Sequence, residues 1–251
     1  MLGADVIGTG PTLLLVHGGT ADRTRWAPLV PLLEDEFSCV LMDRRGRATS
    51  TREAADYAIE REGEDVLAML TALPRPAMVF GHSYGASVTT TVLDRLPADA
   101  VVLYEPPFDT AGHEMIPAAL LERWAGLLAD GRREEVLESF YRDVLRFDDP
   151  AIDALRPLPM WQARVAAVHT VVREGDAVRA LRPAPVRPAM PVRILLGEVT
   201  TPALAASTRA AAELIEGSEL TVLPGQGHVA IDSATELVAQ HVRETWARAA
   251  S

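Results

Sequence analysis

The segment MVFGHSYGAS, residues 78–87, constrains the fold more than any other part of the sequence. Three apolar residues lead into GHSYG, residues 81–85, and residues compatible with a helix follow. A G-x-S-x-G sequence between a strand and a helix forms a sharp turn, because side chains in place of the glycines would collide with nearby backbone. The turn would expose Ser83 at the carboxyl edge of a sheet, beside the N-terminus of the following helix. A glycine-rich turn with an incidental serine is the alternative, and the flanking sequence has to decide between them.

Short apolar runs alternate with helical patterns along the chain, which is typical of a parallel sheet built from strand–helix–strand units. The predicted strands are nearly continuous apolar runs, as expected for strands covered on both faces; they are residues 12–18, 38–43, 77–81, 100–104, 192–197 and 219–223. A further short strand is predicted at Asp5–Ile7, within a short N-terminal segment that precedes the first long strand. Helices are predicted at residues 57–73, 84–96 and 233–249.

One long segment interrupts this alternation. Residues 106–190 contain no convincing strand, but two stretches within them, IPAALLERWAGLLADG and REEVLESFYRDVL, have amphipathic helical patterns. A structureless loop of this length would be unusual inside a compact domain. We therefore expect a helical cap at 106–190, inserted between a first core part at 1–105 and a second at 191–251.

The overall composition excludes several classes of protein. The 251 residues carry a formal net charge of −11, which disfavours a nucleic-acid or anionic-membrane partner. Cys39 is the only cysteine, so an intramolecular disulfide is impossible and nothing points to a metal cluster. The N-terminal residues do not have the pattern of a signal peptide, and no apolar run is long enough to cross a membrane. A soluble cytoplasmic protein is expected.

Three other motifs accompany the GHSYG segment. VHGG, residues 16–19, closes the first long strand, where backbone N–H groups could stabilise an oxyanion. The charged turn DRRGRATS, residues 43–50, ends the next strand. PGQGH, residues 224–228, follows the last strand and places His228 on a loop well after the serine.

With these motifs in this order, the chain resembles the α/β-hydrolase superfamily, and within it the serine hydrolases that carry a cap. The resemblance covers almost the whole chain and includes Trp26, nine residues after His17. It implies an α/β-hydrolase fold with a mostly parallel sheet of about six to seven strands. It also implies Ser83 as nucleophile, His228 as general base, and the backbone N–H groups of Gly19 and Tyr84 as the oxyanion hole. His17 is expected to support the oxyanion loop.

The third member of the expected triad, the acid, departs from the family pattern. The acid commonly follows the strand VRILLG by about three residues, but Thr200 stands there, and threonine cannot ionise. Glu105 directly follows an apolar strand and precedes two prolines, a position where an unpaired carboxylate would be costly to bury. We predict that Glu105 contacts His228 Nδ1. Glu198 and Asp109 are the alternative acids, and a structural ion pair is the alternative role for Glu105.

The sequence therefore predicts a serine hydrolase acting on an ester, lactone or thioester of a medium-sized, largely apolar small molecule. No cofactor and no metal are called for, and a monomer or homodimer is expected. The residues predicted to contact substrate are Gly18, Trp26, Trp124 and Trp161. Packing within the cap is the alternative role for the cap aromatics. Two other functions stay open: a biosynthetic cyclase, isomerase or lyase that uses the same serine and histidine, and a ligand-binding protein with vestigial turnover.

Overall fold

The computed structural model describes residues 2–50 and 56–249. Within these residues the strands are β1 (Ala4–Ile7), β2 (Thr12–Val16), β3 (Ser38–Met42), β4 (Ala77–His82), β5 (Ala100–Tyr104), β6 (Val192–Gly197) and β7 (Glu219–Leu223). They form one sheet in the order β1-β3-β2-β4-β5-β6-β7. Only β1 among them is antiparallel to its neighbour. The predicted α/β-hydrolase fold with a mostly parallel sheet of six to seven strands is confirmed.

The α-helices of the described residues fall into two groups. Those that connect or follow the strands are α1 (Ile59–Ala72), α2 (Tyr84–Thr90), α8 (Pro202–Leu214), α9 (Ala230–Ser233) and α10 (Thr235–Ala249). Those between β5 and β6 are α3 (Ala118–Ala129), α4 (Arg133–Ser139), α5 (Asp149–Leu155), α6 (Met160–Ala167) and α7 (Val171–Ala180). Shorter 3-10 turns lie at Arg23–Trp26, Val30–Leu32 and Val168–Thr170, and a π turn at Phe140–Val144 follows α4.

Side chains of the central strands pack alternately into two apolar cores. In β4, for example, Val79 packs with α1 and α2 on one face, whereas Met78 and Phe80 pack with α10 on the other. Successive strand residues point to opposite faces, and both faces are covered here. This double coverage explains why the strands are continuous apolar runs in the sequence.

The strand order reverses between β2 and β4. From β2 the chain passes to β3 on one side, and from β3 it crosses to β4 on the other side of β2. In open α/β sheets such a reversal leaves a crevice at the carboxyl ends of the two strands. His17–Gly19 follows β2 and Ser83 follows β4, so the fold itself brings these two segments together.

The segment between β5 and β6, here called the insert (residues 106–190), is helical as predicted. Its α5, α6 and α7 were not predicted as separate helices from the sequence. The division into core and cap parts at 105/106 and 190/191 stays a prediction. No helix of the described residues combines the length and apolar character needed to cross a membrane.

Helix α2 is shorter than the predicted span of residues 84–96. It ends at Thr90, and turns follow. The hydroxyls of Thr90 and Thr91 donate to the carbonyls of Ser87 and Val88, at 2.7 Å each. Hydroxyl groups that bond nearby carbonyls compete with the helical backbone, and β-branched residues are poor helix formers. The helix therefore ends where these side-chain hydrogen bonds form.

Candidate active site

Ser83 occupies a strained turn between β4 and α2. Its backbone has φ 54° and ψ −126°, a conformation that residues other than glycine rarely adopt. The two glycines of the motif allow close packing: a Cβ on Gly81 would lie 2.7 Å from Ala86 Cα, and one on Gly85 would lie 2.2 Å from the Val16 carbonyl oxygen. The predicted sharp turn is therefore present, and it presents Ser83 to a cavity.

The loop after β2 packs directly against this turn. A Cβ on Gly18 would lie 2.9 Å from Ser83 Cβ, so only glycine leaves the serine in place. Gly19, Ser83 and Tyr84 line a second, smaller cavity, which shares Gly19 and Ser83 with the first. Tyr84 is the first residue of α2, where backbone N–H groups have no partner within the helix. The predicted oxyanion residues are thus brought together beside the serine.

His17 holds this loop from behind. Its Nδ1 donates to the carbonyl of Gly18 at 2.9 Å, and its Nε2 accepts from the backbone N–H of Arg44 at 3.1 Å. Arg44 also donates to the carbonyls of His17 and Gly18. Burial, followed by the charges of Arg44 and Arg47, lowers the pKa of His17 well below its ordinary value. The imidazole is therefore neutral and has the supporting role expected from the sequence.

Glu105 lies at the end of β5 and contacts His228. Its Oε2 accepts a hydrogen bond from His228 Nδ1 at 2.5 Å and a second from Thr200 Oγ1 at 3.0 Å. Its Oε1 accepts from the backbone N–H of Gly197 at 2.8 Å. The side chain is fully buried, and the residue adopts a positive φ of 47°. Three donors thus stabilise a buried carboxylate beside the histidine, and the predicted contact is present.

The alternative acids have other partners. Glu198 Oε2 accepts from the backbone N–H of Gly225 at 2.7 Å, and Asp109 Oδ1 accepts from that of Met115 at 2.8 Å. Each carboxylate therefore holds a local turn. Neither bonds to His228 in the structure.

The loop that carries His228 is held by two aromatic residues of the neighbouring strands. His82 Nε2 donates to the carbonyl of His228 at 3.0 Å, and Tyr104 Oη donates to the carbonyl of Gly227. Burial, followed by the charges of His228 and Arg25, lowers the pKa of His82 well below its ordinary value. His82 is thus buried, and it also forms part of the cavity wall.

The cavity in front of Ser83 has a volume of about 330 Å³ and includes Gly18, Gly19 and His228 in its wall. The residues that the insert contributes to this wall are apolar or aromatic, except for Arg164. The apolar residues there are Phe140, Tyr141, Leu145, Phe147, Leu155, Leu158 and Met160. A polar reacting edge thus faces an apolar wall, which is the usual character of a small-molecule site.

The three tryptophans predicted to contact substrate lie behind the cavity wall. Trp26 is fully buried against Phe80, with ring centroids 5.2 Å apart, and the preceding Arg25 reaches the cavity instead. The 3-10 turn at Arg23–Trp26 decides which of these two neighbours faces inward. Trp26 therefore does not line this cavity, although the sequence predicts that it contacts substrate.

The two cap tryptophans are displaced from the cavity in the same way. Trp124 packs against Phe140, and Trp161 stacks on Tyr141 with a centroid distance of 6.1 Å in both pairs. Phe140 and Tyr141 line the cavity, whereas both tryptophans are buried. Neither Trp124 nor Trp161 lines this cavity, although the sequence predicts that both contact substrate. They take the packing role that was the alternative.

A buried ionic cluster beside the oxyanion loop was not predicted. We call it the Glu174 cluster; it consists of Arg44, Arg47, Glu62 and Glu174. Glu174 Oε1 accepts from Arg44 Nη2 at 3.0 Å and from Arg47 Nη2 at 2.7 Å, and Arg44 Nη1 bonds both oxygens of Glu62. The charged turn DRRGRATS was the only signal for it in the sequence.

The Glu174 cluster joins the insert to the core. Glu174 belongs to α7, and a Cβ on Gly19 would lie 3.5 Å from its Oε2, so the carboxylate reaches the oxyanion loop. Burial opposes the charged form of Glu174, but Arg44 and Arg47 hold its pKa below the ordinary value. The glutamate is therefore an anion that offsets buried cations. Among the described residues, no group of three or more His, Cys, Asp or Glu is placed to hold a metal ion.

Several known proteins are similar to this chain. The 2-(acetamidomethylene)succinate hydrolase of Mesorhizobium japonicum is 26% identical over 254 residues, which cover 92% of this chain and 86% of that protein. The pimeloyl-[acyl-carrier protein] methyl ester esterase of Methylococcus capsulatus is 32% identical, with 76% of each chain covered. The crystal structure of an alpha/beta hydrolase from Sphaerobacter thermophilus has a TM-score of 0.77 and 27% identity, with 95% of each chain covered.

The family assignment comes from a match along most of the chain. The sequence profile of the alpha/beta hydrolase family matches residues 13–241, which include β2, the Ser83 turn and His228. The strand order and the Ser83 turn agree with that match. The chain belongs to the alpha/beta hydrolase family.

Proposed function

We propose that this protein is a serine hydrolase that cleaves an ester, lactone or thioester through an acyl-enzyme on Ser83. The observation that carries the proposal is the bond between Glu105 and His228 Nδ1 at a cavity that Ser83 shares. A buried carboxylate on Nδ1 fixes the tautomer in which Nε2 can accept a proton. The hydrolase and esterase names of the similar proteins support a hydrolytic reaction.

In the proposed reaction, Ser83 attacks the substrate carbonyl carbon while His228 Nε2 takes the serine proton. Glu105 stabilises the imidazolium that forms. The backbone N–H groups of Gly19 and Tyr84 donate to the oxyanion of the tetrahedral intermediate. His228 then protonates the leaving group. In the second half of the reaction, His228 takes a proton from water as the water attacks the acyl carbonyl carbon. His228 then returns a proton to the Ser83 oxygen, and the acid is released.

The substrate that fits this cavity is a small molecule with an apolar portion. A volume of about 330 Å³ is at the lower end of the range for small-molecule sites. The aromatic and aliphatic side chains of the insert would contact the part of the substrate away from the scissile bond. Burial of that part contributes binding energy through the hydrophobic effect.

Active-site labelling tests the proposal without knowledge of the substrate. A fluorophosphonate should modify Ser83, and mass spectrometry of the digested protein should find the adduct on the peptide that contains it. Ser83→Ala should abolish labelling and lower turnover of a p-nitrophenyl ester by at least about 10³-fold. Ser233→Ala, which removes an exposed hydroxyl near the His228 loop, is the matched control and should label normally.

The same experiment separates the proposed function from the alternatives. A ligand-binding protein with vestigial turnover would leave Ser83 unlabelled. A cyclase, isomerase or lyase that uses the serine would be labelled but would release no acid from simple esters. Labelling together with ester hydrolysis that depends on Ser83 supports the serine-hydrolase proposal over both.

A further inference from the structure

The wall of the cavity carries more arginines than acidic side chains. Two arginines, Arg25 and Arg164, and one aspartate, Asp232, line the cavity that contains Ser83. Arg25 Nη1 donates to Asp232 Oδ1 at 2.7 Å, so these two charges neutralise each other. Arg164 is the cation left over on this wall.

Arg164 bonds to a hydroxyl and, within the described residues, not to a carboxylate. It lies on α6, half-buried, and its Nη1 donates to the hydroxyl of Tyr141. It forms no ion pair with any Asp or Glu in residues 2–50 and 56–249. By contrast, Arg142 pairs with Asp149 at 2.6 Å and Arg156 pairs with Glu134 at 2.8 Å. The neutral phenol of Tyr141 orients the Arg164 guanidinium but leaves its charge without a counter-ion.

The surroundings strengthen the attraction of Arg164 for an anion. Leu155, Leu158 and Met160 line the same cavity as Arg164, and an apolar wall lowers the local dielectric. Arg164 and Ser83 are both part of the wall of this cavity. A substrate held by Arg164 would therefore lie in the same cavity as the serine.

We propose that Arg164 binds a carboxylate of the substrate, so that the enzyme acts on the ester, lactone or thioester of a molecule that carries a second, free carboxylate. A single guanidinium matches a singly charged carboxylate and can donate two parallel hydrogen bonds to it. The apolar side chains that line the same cavity would contact the carbon chain that joins the two groups. This inference rests on the proposed function, because it treats the cavity as the substrate site.

Two matched series of esters test the inference by turnover. The monoethyl esters of succinate, glutarate, adipate and pimelate each carry a free carboxylate, and the corresponding carboxamide esters are neutral and nearly the same size. Ethanol release should give a kcat/KM at least about tenfold higher for the carboxylate member at the best chain length, as expected for a charge-assisted hydrogen bond. Arg164→Gln should reduce kcat/KM for that carboxylate ester at least about tenfold more than for its carboxamide partner.

Arg142→Gln is the matched control for this variant. It removes the same charge from the same insert, but Arg142 lies outside the cavity wall and pairs with an exposed aspartate. It should keep the wild-type preference for the carboxylate ester. Loss of the preference in Arg142→Gln as well would mean that the overall charge decides, and would overturn the assignment to Arg164.

Binding without turnover separates this inference from the proposed function. Calorimetry with monoethyl adipate should show weaker binding to Ser83→Ala/Arg164→Gln than to Ser83→Ala, by at least about tenfold in Kd. Equal binding by the two variants, or equal turnover of the two ester series by the wild type, overturns the carboxylate site while leaving the serine hydrolase intact. Failure of Ser83 to react with the fluorophosphonate overturns the serine hydrolase, while the calorimetry still decides the carboxylate site.

Discussion

Thr200 donates its hydroxyl to Oε2 of Glu105 at 3.0 Å. The same oxygen accepts from His228 Nδ1, so a threonine that follows β6 and a histidine that follows β7 both bond the carboxylate at the end of β5. A neutral donor on a buried carboxylate stabilises its charged form and restricts its orientation. A hydroxyl after β6 is therefore a suitable partner for a carboxylate at the end of β5.

Glu105→Gln should separate catalysis from stability. The amide cannot stabilise an imidazolium, and an N–H directed at Nδ1 favours the wrong histidine tautomer, so turnover should fall by up to about 10⁴-fold. Ester hydrolysis and urea unfolding, measured on the same preparations, give the two effects. Glu198→Gln is the control, since Glu198 bonds only the Gly225 turn in the structure. A larger loss of turnover in Glu198→Gln than in Glu105→Gln would contradict the assignment of the acid.

Thr200→Val should lower kcat through Glu105. Loss of a hydrogen bond to a charged group corresponds to a decrease of about tenfold. In the Glu105→Gln background the same substitution should add little, because the group it positions is already gone. A purely structural role for Thr200 would instead give independent effects of the two substitutions.

Thr201→Val provides the matched control for Thr200→Val. Thr201 caps α8 by accepting from the backbone N–H of Leu204. Its substitution should lower the free energy of unfolding by about 1 kcal/mol and leave turnover unchanged. Neighbouring threonines would thus report separately on catalysis and on stability. Equal losses of turnover in the two variants would contradict the positioning role.

The sequence alone predicts the features that depend on local chemistry. The turn at Ser83 follows from the glycines on either side of it, and the contact of Glu105 with His228 follows from the cost of an unpaired carboxylate after a buried strand. Most strand positions can be predicted from apolar runs, because strands that are covered on both faces are apolar at nearly every position. These features need no knowledge of how distant segments meet.

Features that depend on the docking of distant segments were missed or misassigned. Glu174 meets Arg47 across 127 residues of sequence, and nothing local in α7 indicates that contact. Whether Trp26 or Arg25 faces the cavity depends on the rotation of one 3-10 turn. Helical periodicity predicts that a tryptophan is buried, but it does not distinguish a cavity wall from the packing behind it.

Glu174→Gln should destabilise the protein strongly. Arg47 pairs with no other carboxylate in the described residues, so the substitution leaves a buried cation without its counter-ion. Breaking a buried pair in this way costs about 3–5 kcal/mol, which urea unfolding would measure. Asp176→Asn is the control on the same helix; Asp176 is exposed, and its loss should change the free energy of unfolding by less than about 0.5 kcal/mol. Similar values for the two variants would contradict the role of the Glu174 cluster.

The buried histidines predict a loss of stability in mild acid. The pKa values of His17 and His82 in the folded protein lie well below their ordinary value, mainly because burial disfavours the charged imidazole. In the unfolded chain each takes up a proton below about pH 6.5. The unfolded state then binds more protons than the folded one, so the free energy of unfolding must fall as the pH decreases.

Urea unfolding between pH 7 and pH 5 measures this dependence above the usual titration range of carboxylates. Each buried histidine contributes a slope that approaches about 1.4 kcal/mol per pH unit once the unfolded chain is fully protonated at that position. His82→Gln removes one of the two titrating groups, so its slope below pH 6.5 should be shallower than that of the wild type by up to that amount. The comparison of slopes is independent of how much the substitution itself destabilises the protein at pH 7. An unchanged slope in His82→Gln would mean that His82 takes up a proton in the folded state as readily as in the unfolded chain, and would contradict the lowered pKa of His82.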